Sequence, residues 1–392
     1  MAYDRLTYRL LILGLVVAAY SNIYVIQPVL PVLQQEFAAS KSGVSLTISG
    51  LIVGIALSNL PIGMLADRFA IRPLLVGGGL ALAVGGMGAA LAPDLRWVVV
   101  GRFVQGLALP ALITCLAAFL SRTLPAPRLR PVLGAFVAAQ VAGGLLGRLL
   151  GGWLHSLWHW RFALAAVSLL TGMLAMAAAT VLPDPGHGPS TRHDRIGTIE
   201  LLRRLDVTAM YAVAFSAFFV FSSIFNYLPF RLREPPLDAS TATITATYLT
   251  YVVGIAAGPL AGRWSHRFGG GMTIAAGTLL ATGGILLTLI ASLVWIVAGL
   301  LLLCAGFFAV HAAAAGLLNA RVATGKGRAN GLYVLFYYVG GFLGITTGGY
   351  AYERGGWLGV VGLGIAALVV PLAVGLYRNR DSAMEEGEYP PT

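Results

Sequence analysis

The sequence predicts an all-α membrane protein with 12 transmembrane helices in two pseudo-symmetric six-helix bundles, and three observations carry that prediction. The first is composition: hydrophobic residues make up 58% of the 392-residue chain and charged residues only 10%. A soluble globule of this size needs more polar side chains than that to cover its surface. The second is a series of apolar stretches at residues 9–33, 43–65, 73–92, 97–120, 131–153, 161–182, 207–230, 241–262, 271–291, 293–318, 329–352 and 357–377. Each is close to the ~20 residues a spanning helix needs, and none shows the alternation of a barrel strand. The third is repetition. Gly63-Met64-Leu65-Ala66-Asp67-Arg68-Phe69-Ala70-Ile71-Arg72 returns 195 positions later as Gly258-Pro259-Leu260-Ala261-Gly262-Arg263-Trp264-Ser265-His266-Arg267. The run Gly143-Gly144-Leu145-Leu146-Gly147-Arg148-Leu149-Leu150-Gly151-Gly152 returns as Gly340-Gly341-Phe342-Leu343-Gly344-Ile345-Thr346-Thr347-Gly348-Gly349. Six spans separate each cassette from its copy, so both copies face the same side and the halves are parallel repeats about the membrane normal.

Along the chain, residues 1–182 form the first bundle. Arg5 and Arg9 before an apolar core resemble a signal peptide, but the apolar run continues to Leu33, so this is an uncleaved first span. Residues 183–206 are a linker opening on Pro183-Asp184-Pro185-Gly186. Its end carries Ile196, Ile199, Leu202 and Leu205 around Arg203 and Arg204, which fits either a short surface helix or a solvated connection. Residues 207–380 form the second bundle, and the acidic, proline-ended stretch 381–392 is expected to be a disordered tail.

The net charge of +11 does not indicate nucleic acid, because the basic residues are split by membrane side rather than gathered on one face. With alternate loops assigned to opposite sides, 18 of the 26 lysines and arginines fall together. The positive-inside rule then puts both termini in the cytoplasm. Trp97, Trp153, Trp158, Trp160, Trp295 and Trp357 fall at the opposite ends of spans, where an interfacial belt is expected. Cys115 and Cys304 lie in spans, so neither a disulfide framework nor a metal site is expected. Gly325-Lys326-Gly327 lacks the spacing and the Ser or Thr of a phosphate loop, so ATP is not the expected driver.

The loop Gly63–Arg72 resembles the signature loop of the major facilitator superfamily. Val98-Val99-Val100-Gly101-Arg102-Phe103-Val104-Gln105-Gly106 resembles that family's fourth-span motif. Gly143–Gly152 and Pro28-Val29-Leu30-Pro31 are similar to the fifth-span and first-span motifs of its drug/proton antiporter branch. The resemblance spans the chain and implies a major facilitator fold and a secondary transporter working by alternating access. It also implies proton-coupled efflux of drugs or metabolites, as in multidrug resistance, across a bacterial-type inner membrane, with the proton gradient in place of any cofactor. The partners expected are the lipid bilayer and a small organic substrate, with no nucleic acid and a monomeric state. Ala70 and Ile71 depart from the loop motif. Arg148 stands where the antiporter pattern has proline, and its counterpart is Ile345.

The resemblance assigns Gly63, Asp67, Arg68, Arg72, Gly258, Arg263 and Arg267 to a cytoplasmic gating latch; physically, Gly63 would let a helix end approach a neighbour closely. Gly143, Gly144, Gly147, Gly151, Gly152, Gly340, Gly341, Gly344, Gly348 and Gly349 suit close helix packing and bending. No Asp or Glu lies within a span, whereas Arg102 and Arg148 do, at matching depth in the outer half. Intramembrane ionisable groups mark pathways, although an arginine near an interface can also snorkel. Tyr20, Tyr24 and Gln27 share a helix face, as do Gln140, Gly144 and Arg148. With Gln105, Ser223, Asn226, Tyr227, Tyr333 and Tyr337 they are candidate cavity-lining groups, interhelical hydrogen bonding being the alternative for each. His311 is the titratable side chain well inside the second half, either a neutral pore-facing group or a proton-coupling one. Without a buried carboxylate, neutral, amphiphilic or anionic substrates are expected over cations. An organic-anion facilitator or importer without proton coupling is the alternative, and a non-transporting membrane sensor a second. An enzyme is not expected, since loops this short hold no catalytic constellation.

Overall fold

The structure, a computed structural model, describes residues 6–182 and 197–387, and among these every regular element is a helix. Helix α1 (Leu6–Tyr24) gives way to a 3-10 turn at Gln27–Val29 and then to α2 (Leu30–Glu36). Pro28 has no N–H to donate to the Tyr24 carbonyl, which breaks the helical ladder at this place. Helix α3 (Lys41–Arg68) starts under a Ser40 cap and α4 (Ile71–Ala90) follows. Helix α5 (Leu95–Thr123) is capped by Asp94, and α6 (Ala126–Leu157) begins after Pro125. Helix α7 (Trp160–Val181) is capped by His159. In the second half α8 (Thr198–Arg203) precedes α9 (Leu205–Arg233), which is continuous. Then come α10 (Thr241–Thr247), a 3-10 turn at Tyr248–Tyr251, α11 (Val252–Phe268), α12 (Gly270–Leu287), α13 (Leu293–Arg321) and α14 (Lys326–Gly387).

Ten helical segments are long and apolar enough to cross a bilayer, and a further pair, Thr241–Gly258 and Leu260–Phe268, qualifies as one span bent by 44°. One of the ten, Lys326–Asn379, is 54 residues long, or ~80 Å at 1.5 Å per residue, more than twice a bilayer's hydrocarbon core. It is two helices that meet at Gly356, where φ is +57° and ψ −150°. Counted this way, the described residues hold 12 spans.

The chain divides into two compact units, Met1–His193 with Ala239–Leu249, and Asp194–Asp238 with Thr250–Thr392. The boundary therefore differs from a cut between residues 182 and 207, because the stretch containing α10 gathers with the first unit. Of the linker, α8 forms, with Leu201 buried beneath it, while residues 183–196 lie outside the described residues. The stretch read as a disordered tail from Asp381 is helical as far as Gly387, and residues 388–392 lie outside the described residues. Ala383-Met384-Glu385-Glu386 are good helix formers with no breaker among them.

In each unit glycines set the closest helix contact. A Cβ on Gly143 or Gly147 would overlap the carbonyl oxygens of Val17 or Ser21 of α1, and one on Gly151 that of Val25 just beyond it. A Cβ on Gly340 or Gly344 would overlap those of Phe215 or Phe219 of α9, and one on Gly348 the Ser223 hydroxyl. Gly341 lies against the Phe218 ring, Gly152 against Thr245, and Gly349 is buried. Gly63 corrects the sequence reading: a Cβ there, and likewise at Gly258, would meet nothing within 4 Å. The close contact at that end of α3 is made instead by Ala66, buried, whose carbonyl accepts from Arg122 Nη2 at 2.9 Å.

Trp97, Trp153, Trp158 and Trp295 are exposed, as an interfacial belt requires, but Trp160 and Trp357 are buried. Each spends its indole N–H internally: Trp160 Nε1 donates to Glu36 Oε2 at 2.5 Å and Trp357 Nε1 to Thr288 Oγ1 at 3.0 Å. Arg161 completes the first of these knots, pairing with Glu36 Oε1 at 2.9 Å and donating to the carbonyls of Ala90 and Ala92.

Candidate substrate and coupling site

Arg102, on α5, is fully buried, so it does not snorkel. Its Nε donates to the Thr47 carbonyl (3.1 Å), Nη1 to the Asn22 carbonyl (2.6 Å) and Gln105 Oε1 (2.8 Å), and Nη2 to the Ile23 carbonyl (2.6 Å). Asn22 and Ile23 belong to the last turn of α1, whose carbonyls have no partner further along the helix. The break in α1 therefore creates acceptors at the negative end of a helix dipole, and the guanidinium satisfies them without any carboxylate.

The network continues through Gln105, whose Nε2 donates to Asn22 Oδ1 (3.1 Å), the Leu82 carbonyl (3.2 Å) and Ser168 Oγ (3.0 Å). Asn22 Nδ2 in turn donates to Thr171 Oγ1 at 2.8 Å. Helices α1, α3, α4, α5 and α7 are thereby stitched together. Arg102 and Gln105, expected in a cavity, sit in this knot instead, because the interrupted helix and its neighbours consume their donors. Sequence reasoning missed Ser168 and Thr171, for which an isolated hydroxyl in an apolar run gives no signal.

Arg148, on α6, is also buried. Its Nε donates to Gln27 Oε1 at 2.6 Å and its Nη1 to the Gly144 carbonyl at 2.7 Å. The guanidinium carbon lies 3.7 Å from the centre of the Tyr24 ring and 5.3 Å from that of Tyr248. Tyr24, Gln27, Gly144 and Arg148 thus come together, while Tyr248 arrives from the segment that gathers with the first unit. Tyr248 carried no sequence signal. Tyr20 and Gln140 are half-buried, with Tyr20 against Gly143. The partners of Arg148 include two tyrosine rings, a side-chain amide and a backbone carbonyl.

In the second unit, Tyr333 Oη and His311 Nδ1 lie 3.0 Å apart. His311 stacks on Phe307, with rings 6.0 Å apart and 10° between planes, and its ring is 5.2 Å from that of Tyr337. Tyr337 stacks on Phe218 at 3.8 Å and Phe221 on Phe307 at 3.9 Å. His311 and Tyr337 are half-buried. Ser223, Asn226 and Tyr227 are fully packed away rather than facing open space: Tyr227 Oη donates to the Ile345 carbonyl at 2.8 Å, and Ser223 fills the notch left by Gly348. Ser223 and Tyr227 fall among the interhelical contacts because the glycine notches of α14 draw α9 close, and Asn226 is buried on the same helix.

The loop residues of the repeated cassette are largely exposed: Arg68, Arg72, Arg263 and Arg267 all are. Arg72 Nη2 donates to the Leu182 carbonyl at 3.2 Å and so caps α7. The Asp67 side chain lies outside the described residues.

Twelve apolar helices in two units with matching glycine contacts and buried arginines define a multi-pass membrane transporter. A family model of the Major Facilitator Superfamily matches residues 12–240, and the chain belongs to that superfamily. It is 30% identical over 383 residues to the inner membrane transport protein YnfM of Escherichia coli strain K12, covering 96% of this chain and 91% of that protein. It is 31% identical over 167 residues to a multidrug resistance protein B homolog of Mycobacterium tuberculosis, a match covering 42% of this chain and 31% of that one. The crystal structure of a bacterial homolog of the human lysosomal transporter Spinster, inward-facing and unoccupied, superposes with a TM-score of 0.80 at 15% identity, covering 96% and 98% of the two chains. At that identity the likeness shows the fold.

Proposed function

We propose that this transporter works by alternating access and exports small organic compounds that are anionic, amphiphilic or neutral, in exchange for protons. The observation that carries the reading is Arg148: a cation buried in the first unit among Tyr24, Gln27, Tyr248 and a backbone carbonyl, in a chain whose spans hold no Asp or Glu in their apolar interior. Such a site attracts an anionic group and repels an organic cation. Efflux and an inner-membrane setting with cytoplasmic termini are supported by the basic loops, by the name of the Escherichia coli relative and by the partial likeness to a multidrug resistance protein. Arg68, Arg72, Arg263 and Arg267 act as the latch of the cytoplasmic side.

Proton coupling is assigned to His311, held by Tyr333. Protein reconstituted in liposomes with an acidic lumen is expected to accumulate amphiphilic organic anions as protons leave. Accumulation of lipophilic cations with no effect of anions would overturn the substrate assignment. In His311→Gln the flux is expected to persist but lose its response to the pH gradient. Flux in the native protein that ignores the gradient would instead favour an uncoupled anion facilitator.

A further inference from the structure

The second unit holds a continuous ladder of rings whose planes are fixed from behind. Tyr251 is edge-on to Phe225 and Phe221. Phe221 stacks on Phe307 with 17° between planes, and Phe307 stacks on His311. On the other side Tyr337 lies on Phe218 with 8° between planes and stands at 89° to Tyr338. The backing rings Phe218, Phe221, Phe225, Phe307 and Tyr338 are buried, whereas His311, Tyr337 and Phe308 are only half-buried.

His311 lies ten residues, or ~15 Å, from the end of α13 at Arg321. An imidazole at that depth is not turned to lipid, where its polar nitrogens would go unsatisfied. The half-buried side of the ladder is therefore the side away from the acyl chains. The Tyr333 hydroxyl fixes the His311 ring, and Phe218 and Tyr338 fix Tyr337, so the surface is rigid and loses little freedom on binding.

We infer that this His311–Tyr337–Phe308 surface binds the flat ring of an aromatic or conjugated substrate. The inference rests on the reading of the chain as a carrier of organic compounds and adds the ring to it. A flat π-system gains offset or edge-on contacts here that a puckered saturated ring of similar volume cannot make.

The test compares 2-naphthoate with its decahydro counterpart, and the neutral 2-naphthalenemethanol with its own, by direct binding to purified full-length protein. The aromatic member of each pair is expected to bind on the order of 5-fold tighter. Tyr337→Leu is expected to erase that ratio and Tyr337→Phe to keep it, with thermal unfolding confirming that both variants fold. Equal affinities within both pairs, or a ratio that survives Tyr337→Leu, would overturn the inference while leaving transport of anions intact. Aromatic preference in the neutral pair, with no binding of either carboxylate, would overturn the anionic reading and uphold the ring surface. Failure of all four compounds to bind would overturn both.

Discussion

The first spanning helices of the two units, α1 and α9, occupy the same place in their bundles and behave differently. Gly143 and Gly147 bring α1 close at Val17 and Ser21, and Gly340 and Gly344 bring α9 close at Phe215 and Phe219. A second matching contact pairs Gly85 with Gly101 in one unit and Gly284 with Gly299 in the other. Yet α1 breaks after Tyr24 whereas α9 runs unbroken to Arg233. Where the first unit has Arg102 and Gln105, the second has Leu300 and Leu303, all four buried. The break and the cation belong together: the interrupted helix supplies carbonyls that need donors, and the guanidinium supplies donors that need carbonyls. A continuous helix offers neither, so leucine suffices.

The severest way to probe this correspondence is to fill the notches. Gly147→Val and Gly344→Val are both expected to abolish monodisperse protein in detergent, because in each the new side chain meets a backbone carbonyl rather than a movable group. Survival of one but not the other would show that the two contacts are not equivalent.

Next in size, Arg102→Leu copies the second unit onto a broken helix. It is expected to cost about 3–5 kcal/mol, read as a lower unfolding midpoint, by stranding the carbonyls of Asn22, Ile23 and Thr47. Arg102→Lys should not restore the loss, since an ammonium cannot reach three carbonyls and an amide in one plane. A loss below about 1 kcal/mol would separate the cation from the break.

Arg148→Ile reproduces the residue found at Ile345. The protein is expected to fold, and organic-anion flux in liposomes to fall about 10- to 100-fold, the worth of a charge-assisted contact. Unchanged anion flux would sharpen the comparison the other way, making the polar cluster structural. The smallest effect tests a feature shared by both units. Ser21 Oγ donates to the Gly143 carbonyl and Ser222 Oγ to the Gly341 carbonyl, each at 3.0 Å. Ser21→Ala and Ser222→Ala are each expected to cost about 0.6 kcal/mol of unfolding free energy, alike in the two units.

The fold was legible because a bilayer forces apolar runs of a set length and because duplicated glycines survive where backbones touch. The Gly143 and Gly340 runs mark those contacts directly. The polar interior was harder to read. Arg102 pairs with main-chain oxygens, and a carbonyl acceptor leaves no trace in residue identity, so the arginine looked like a pathway group. The helix break that exposes those oxygens was signalled only by Pro28. Tyr24 with Gln27, and Gly144 with Arg148, could each be placed on a shared face from helical spacing, although the meeting of the two faces carried no signal. Tyr248 could not, because its position depends on how the irregular stretch around a 3-10 turn folds back. Gly63 misled for a different reason: a glycine suited to close approach carries no record of whether anything approaches.

The gathering of Ala239–Leu249 with the first unit has a consequence for how the protein can be divided. The two sequence repeats and the two folded bodies are not the same objects, since the chain leaves the first body and re-enters it once before departing for good. A gene cut in the connection between the repeats would yield an N-terminal product lacking eleven residues of its own packing. Only the other product carries them. The halves would be expected to accumulate together and fail apart, so each repeat is obliged to mature in the company of its twin.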